Sequence, residues 1–280
     1  MKVNIEKLIM GELIKRGLDA GVEEVEVVKN AIHCKGLKII NYSNVNICPI
    51  VYYNQDETIS AIADRIVAVV KSDLPSFNIA DIQSKDFFKK HAYLCCCRHN
   101  DTVSDVIVKR YLNLDLIVKL RVMTDSDSVC SIKVTQPLLN IIGLAEDEAF
   151  DIATINSRET VTIMSMTDIL GEPNDILDYP MHILSCNQGH DGASAIVFTD
   201  ALKNWCMANN LTDIFILPSS TEEMIIISDN TITTSALLKI NKNITSSIVD
   251  PILALDPAVY HYSPVDNIVT IAAAEVIDDD

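Results

Sequence analysis

The sequence predicts an α+β protein: antiparallel sheets with helices packed on them. Three observations point there. Short strand candidates come in hairpin-like pairs, amphipathic helical stretches separate the pairs, and the glycine-rich loops of doubly wound parallel sheets are missing. The chain has 280 residues, 49% of them hydrophobic, enough for a substantial core.

The N-terminal unit, residues 1–75, reads α-β-β-β-α. Val3, Ile5, Leu8, Ile9, Leu13 and Ile14 recur at helical spacing. "EEVEVVKN", "LKIIN" and "NICPIVYY" are strands, the last two entered after turn signals at Lys35-Gly36 and Ser43-Asn44. "DETISAIADRIVAVVK" is a second amphipathic helix, with Asp56 as its expected cap and Pro75 beyond its end.

The middle region, residues 76–178, begins with a helix through "IADIQSKDFFKK". The strands "HAYLCCCRHN", "LDLIVKLRVM" and "VCSIKVT" follow. Pro137 suits the first turn of a helix, and "EDEAFDIATINS" is an acidic helix. The C-terminal unit, residues 179–275, reads β-β-α-β-β-α-β-β. Its first two strands are "MHILSCN" and "ASAIVF", joined by a turn. Residues 276–280 form an acidic tail.

Charge divides the chain. Residues 1–140 hold 18 Lys+Arg and 17 Asp+Glu, whereas residues 141–280 hold 4 and 22. An acidic half repels phosphate backbones, so no nucleic-acid partner is expected. Aromatics are only 5%, a poor supply for base stacking. No run of about 18 apolar residues could span a membrane, and the N-terminal helix is too interrupted by charge for a signal peptide. None of the eight cysteines forms a C-x-x-C pair. A reducing, cytoplasmic location is expected, with the cysteines as small buried hydrophobes.

Three clusters could carry chemistry. "SCNQGHDGAS" gathers Cys186, Asn187, His190, Asp191 and Gly192. A thiol nucleophile needs an imidazole within hydrogen-bond reach and a third group to orient it, so Cys186, His190 and Asp191 are the catalytic candidates. Asn187, Gly192 and, from "LPSST", Ser219 and Ser220 are the ligand-binding candidates. The competing explanation is turn chemistry: Gly189 and Gly192 supply positive φ angles between two strands, with His190 at a solvated tip. In the second cluster, alternation puts His91, Cys95, Cys97 and His99 on one face of a strand. Same-face neighbours stand roughly 6.6 Å apart, too far for all four to share one metal. Cys95, Cys97 and His99 remain the metal candidates, with His33, Cys34 and Cys130 as further ligands lent from elsewhere; the bland explanation, a core strand whose cysteines fill small gaps, is preferred. The third cluster is acidic: Asp168, Glu172, Asp175 and Asp178, with Glu146, Asp147, Glu148 and Asp151 upstream. It lacks a calcium-loop pattern and suits a solvated helix start. No phosphate-binding loop, dinucleotide fingerprint, zinc-protease helix or serine-hydrolase elbow occurs, so no cofactor is expected.

Residues 181–228 carry a resemblance as well. A strand ending in Leu184-Ser185, a glycine-containing turn, Gly192-Ala193, a helix, and a strand ending Leu217-Pro218-Ser219-Ser220 resemble a domain-of-unknown-function family of gut Clostridia and related Firmicutes. "LKIINYSNVNICPIVYYN" and "CRHN" are similar more loosely. The resemblance implies a cytoplasmic bacterial protein and assigns no catalytic residue.

Together these observations lead to the expectation of a non-enzymatic binding or regulatory module that meets a protein partner through its acidic C-terminal half, a surface that suits a basic partner. The alternative is an enzyme or small-ligand-binding protein with its site at the 185–193 turn and the 218–221 loop.

Overall fold

The computed structural model describes residues 4–40, 49–54, 56–71, 78–99, 105–123, 129–171, 180–228 and 231–274. The α+β class with antiparallel pairing holds throughout. The chain divides into two compact units: Met1–Ile82 with Met123–Cys130, and Gln83–Val122 with Ser131–Asp280.

The first unit follows the expected α-β-β-β-α order and adds one short helix. Helix α1 (Ile5–Lys15) is capped by Asn4, whose side chain accepts from the Lys7 amide at 3.0 Å. Strands β1 (Gly21–Lys29) and β2 (Ile32–Ile40) form a hairpin. Asn30 and Ala31, both at positive φ, make the tight turn that matches strand twist. Strand β3 (Ile50–Tyr52) pairs with β2. The turn expected at Lys35-Gly36 is instead continuous strand. Gly36 sits inside β2 because β3 comes close: a Cβ there would stand 2.5 Å from Ile50 Cγ2. Residues 41–48, with the expected Ser43-Asn44 turn and Cys48, lie outside the described residues, as does Pro75.

Helix α2 (Ile59–Lys71) starts later than expected. Thr58, not Asp56, accepts from the Ala61 amide at 3.2 Å, so the hydroxyl that fits the first turn makes the cap. One apolar face of each helix meets the sheet in a core of Ile9, Leu13, Val22, Leu37, Ile39, Val51, Ile62, Ala63 and Ile66. Arg16 joins the helices, bonding Asp64 at 3.0 Å and Ser60 at 2.8 Å. Helix α3 (Ile79–Ile82) ends this stretch.

The helix expected across residues 79–90 is broken after α3. Helix α4 (Lys85–His91) begins anew, because Ser84 caps it by accepting from the Phe87 amide. Strands β4 (Ala92–Arg98), β5 (Val108–Tyr111) and β6 (Leu114–Met123) form an antiparallel sheet in the order β4-β6-β5, and β7 (Val129–Lys133) also pairs with β6. Thr135 caps α5 (Gln136–Ile142), and Pro137 stands in its first turn as the sequence predicts. Helix α6 (Glu146–Arg158) carries Glu146, Asp147 and Glu148 in its first turn, where negative charge favours the helix dipole.

Strand β8 (Thr162–Ser165) and helix α7 (Met166–Leu170) lead to β9 (Met181–Ser185). Asp168 is exposed; Glu172, Asp175 and Asp178 lie outside the described residues. The C-terminal order differs from expectation at one element. "ASAIVF" is not a strand, because Gly192–Val197 forms a 3-10 helix. Apolar content over six residues cannot separate these two forms. Then come α8 (Thr199–Ala208), β10 (Ile214–Pro218), β11 (Met224–Ile227), α9 (Thr234–Ser247), β12 (Ala258–Ser263) and β13 (Ile268–Ala274). Neither Thr199 nor Asp200 caps α8 by its side chain; Asp200 pairs with Arg158 instead. Six strands form one sheet in the order β13-β12-β10-β11-β9-β8. Helix α9 packs Leu237 against Ile183, Leu217, Ile225, Ile227 and Val259. Buried Asn241 pins that helix, donating to Pro218 O at 2.9 Å and accepting from the Ala258 amide at 3.0 Å.

Candidate functional site: a clamped loop on the β4–β6 sheet

Alternation along β4 puts Tyr93, Cys95 and Cys97 on one face. In register on β6 stand Lys119 opposite Tyr93 and Asp115 opposite Cys97, with Arg121 two residues beyond Lys119. The loop after β9 meets these side chains. Lys119 Nζ donates to Asp191 Oδ1 at 2.6 Å, and Tyr93 Oη donates to Asp191 Oδ2 at 2.7 Å. Cys95 Sγ stands 3.3 Å from Asp191 Oδ1. Arg121 Nη2 donates to Asn187 O at 2.6 Å and Nη1 to Gln188 Oε1 at 3.3 Å, while the guanidinium lies 5.1 Å from the Tyr93 ring centroid.

The loop backbone needs this support. Asn187, Gln188, Gly189 and Asp191 all have positive φ, and three of them are not glycine. Side chains in this region pay a steric penalty, and such residues persist only where the surroundings hold them. Gly189 matches the expected turn conformation. Gly192 does not: its φ is ordinary, and it is glycine for space. A Cβ there would lie 2.0 Å from Ser185 Oγ and 2.6 Å from Cys186 O.

Burial decides the protonation states. Burial raises the Cys186 thiol to about 11, and it sits beside Ser194 Oγ (3.3 Å) and Gly192 O (3.4 Å). His190 is exposed at the loop tip, and no hydrogen bond joins it to Cys186 among the described residues. The structure therefore does not assemble Cys186, His190 and Asp191 as a nucleophile, base and orienter. Burial would raise the Asp191 carboxyl and lower the Lys119 ammonium. At Asp191 the Lys119 charge and the bonds from Lys119, Tyr93 and Cys95 outweigh burial, so the carboxyl is lowered; at Lys119 the neighbouring Cys95 and then Asp191 outweigh it, so the ammonium is raised. Burial, followed by the Asp191 charge, pushes the Tyr93 phenol upward. At neutral pH the cluster is an ion pair ringed by a neutral phenol and a neutral thiol.

Asn187 and Ser194 serve the sheet. Asn187 Nδ2 and Ser194 Oγ both donate to Leu94 O, at 2.9 and 2.8 Å, and Ser157 Oγ accepts from the Leu94 amide at 2.8 Å. These buried side chains satisfy the edge of β4 that has no neighbouring strand. The 218–221 loop comes to the same place. Ala193 N donates to Thr221 O at 3.0 Å, Ser185 Oγ to Glu222 O at 2.9 Å, and Asp191 N to Glu222 Oε2 at 3.1 Å. Ser219 and Ser220 are buried and turn their hydroxyls inward, to Glu223 O (3.0 Å) and the Glu222 amide (3.1 Å).

The metal candidates separate along the strand. Cys95 faces Asp191, Cys97 Sγ reaches Asp115 O at 3.6 Å, and His99 Nδ1 lies 3.0 Å from Asp115 Oδ1. Burial and then Asp115 raise the Cys97 thiol to about 11. His91 is not on the strand at all; it ends α4, stacked on Phe87 at 4.1 Å. Among the described residues, no three His, Cys, Asp or Glu side chains are grouped to hold a metal ion. The seven described cysteines are free thiols.

Lys119, Arg121 and Tyr93 escaped the sequence reading. Their signal was present: Lys119 and Arg121 stand two apart within the largely apolar second half of a strand, hence on one face. What the letters lack is the partner, 72 residues further on.

The fold and the loop together define an α+β protein whose sheet carries a left-handed loop clamped by a largely buried ion pair. The chain belongs to DUF5688, a family of unknown function, whose model matches residues 3–264. No curated protein and no solved structure matches it. Among the described residues, no helix is long and apolar enough to cross a membrane.

Proposed function

We propose that the protein is a non-enzymatic binding module of the bacterial cytoplasm that meets a basic protein partner through its acidic C-terminal half. One observation carries this reading: the polar groups of the 185–193 segment hold the fold, while the acids of residues 141–280 line the surface. Glu146, Asp147, Glu148, Asp151, Glu159, Asp168, Asp250 and Asp266 are all exposed. Such a surface attracts cations over a Debye length of about 8 Å at physiological salt.

The test is to capture a partner from source cells, purify it, and titrate it calorimetrically against the full chain at low and high salt. Affinity that weakens several-fold with salt supports the reading. A salt-independent complex, or no complex with the purified candidate, overturns it.

The hydrogen bonds between the 185–193 loop and residues 221–222 favour a second reading, a small-ligand site at the exposed tip Gln188–His190. Native mass spectrometry of the untreated protein tests it. A bound metabolite lost in His190→Ala supports that reading, and a bare chain mass counts against it.

A further inference from the structure

The stretch between α9 and β12 is apolar and faces outward. A lone exposed apolar side chain is ordinary on a protein surface. Here several share one short loop: Ile248 is 78% exposed, Leu253 37%, and Pro251 between them is exposed as well.

Backbone bonds give this loop a fixed shape. Ile248 N and Val249 N donate to Ile244 O at 3.0 and 3.2 Å, ending α9. Asp250 then closes a turn. Its carboxylate accepts from the Ile252 amide at 3.0 Å, and its carbonyl accepts from the Leu253 and Ala254 amides at 2.8 and 2.9 Å. The 218–221 loop braces the far side: Ser220 pairs with Ala254, and Thr221 N donates to Leu253 O at 2.8 Å. A surface already held in shape loses little entropy when a partner settles on it.

Charge at this place is one-sided. Glu222 and Glu223 follow Thr221, and Asp250 is exposed on the loop itself. The groups that bond these carboxylates are neutral: Asp191 N and Thr221 Oγ1 donate to Glu222, and Ile252 N to Asp250. Burial and then Glu222 raise the Glu223 carboxyl, the mark of an acid pair without a cation of its own. The sequence has no Lys or Arg in residues 204–238 or 243–274.

We infer that the Ile248–Leu253 loop is a docking knob for a segment of a basic partner that carries apolar side chains between lysines or arginines. The apolar side chains pack on Ile248 and Leu253, and the flanking cations neutralise Asp250 and the Glu222–Glu223 pair. A second copy of this chain is a poor occupant. A two-fold contact would set the patch against itself, with Asp250 and both glutamates near their own like. This inference rests on the protein-partner reading above and gives it a location.

The test uses the full chain and fluorescein-labelled Lys-Lys-Leu-Lys-Lys-Leu-Lys-Lys, in anisotropy titrations at low salt. The same peptide with Ser in place of Leu is its control. The leucine peptide should bind at least about tenfold more tightly than the serine one. Ile248→Ser, a change at an exposed side chain, should abolish that difference, and Glu223→Gln should weaken both peptides several-fold. Ile155→Ser, at another exposed isoleucine on α6, should change neither. Equal affinity of the two peptides for the native chain, no binding at all, or an equal loss in the Ile155 and Ile248 variants overturns the docking knob. So does dimerisation of the free chain that Ile248→Ser abolishes. In each case a salt-sensitive complex with the purified cellular partner would leave the broader reading standing, which separates the two failures.

Discussion

Lys119 and Asp191 stand 2.6 Å apart with side chains only 16% and 14% exposed, the one on a strand and the other in a left-handed loop. A surface ion pair is worth little, but a pair this far from water leaves a costly charge behind when one partner is removed. Asp191→Asn should therefore destabilise by about 3 kcal/mol and Lys119→Met by a similar or smaller amount. The double variant should recover part of the loss. Urea denaturation of the four proteins gives the coupling energy; a value below about 0.3 kcal/mol would mean that the pair does not hold the loop.

Close approach makes a second prediction. A methyl group on Gly192 has nowhere to go, since two of its three nearest atoms are backbone. Gly192→Ala should cost about 2–3 kcal/mol, the upper range for overpacking. Gly11 in α1 has nothing within 4 Å of an added Cβ, so Gly11→Ala should stabilise by about 0.5–1 kcal/mol. Thermal melts of both variants check the contrast, and equal effects would remove the steric argument.

The pH dependence follows from the same pair. The folded Asp191 pKa is lowered, so its contribution is present above the ordinary aspartate value near ~4 and lost as pH falls through the folded value. The folded Lys119 pKa is raised, so its contribution is present below ~10.4 and lost as pH rises beyond it. Stability measured from pH 3 to 11 should decline at both ends, and Asp191→Asn should flatten the acid limb. An unchanged acid limb in that variant would assign the decline to other carboxylates.

Thiol chemistry offers a direct check on burial. Cys186 and Cys206 are both raised to about 11 by burial, and Cys95 and Cys96 are raised further from reactivity by the same cause. Iodoacetamide at pH 8 should label the partly exposed Cys34 and Cys130 first and leave those four untouched until the chain unfolds. Fast labelling of Cys186 in the native protein, read by peptide mass spectrometry, would reopen the nucleophile reading.

Much of the fold was legible because it rests on local periodicity. The apolar spacing of α1 and α2, the alternation of β1 and the acidic start of α6 each follow from residues a turn or a strand apart. Errors fell where one local pattern serves two structures. Six apolar or small residues from Gly192 to Val197 suit a strand or a 3-10 helix, and only the tight packing of Gly192 on Ser185 and Cys186 selects the helix. Gly36 signals a turn in the letters and a close strand crossing in space.

By itself, then, the sequence determined the α+β class, the N-terminal α-β-β-β-α order, the charge division and a glycine-marked change of direction within residues 185–193, all properties of neighbours along the chain. The tertiary structure alone decided what that turn is for. It buried Cys186 away from His190, set Asp191 on Lys119 and Tyr93, and joined the loop to Thr221 and Glu222. Those contacts span from 28 to 98 residues of chain, a separation at which side-chain pairing is chosen by how sheets and loops pack.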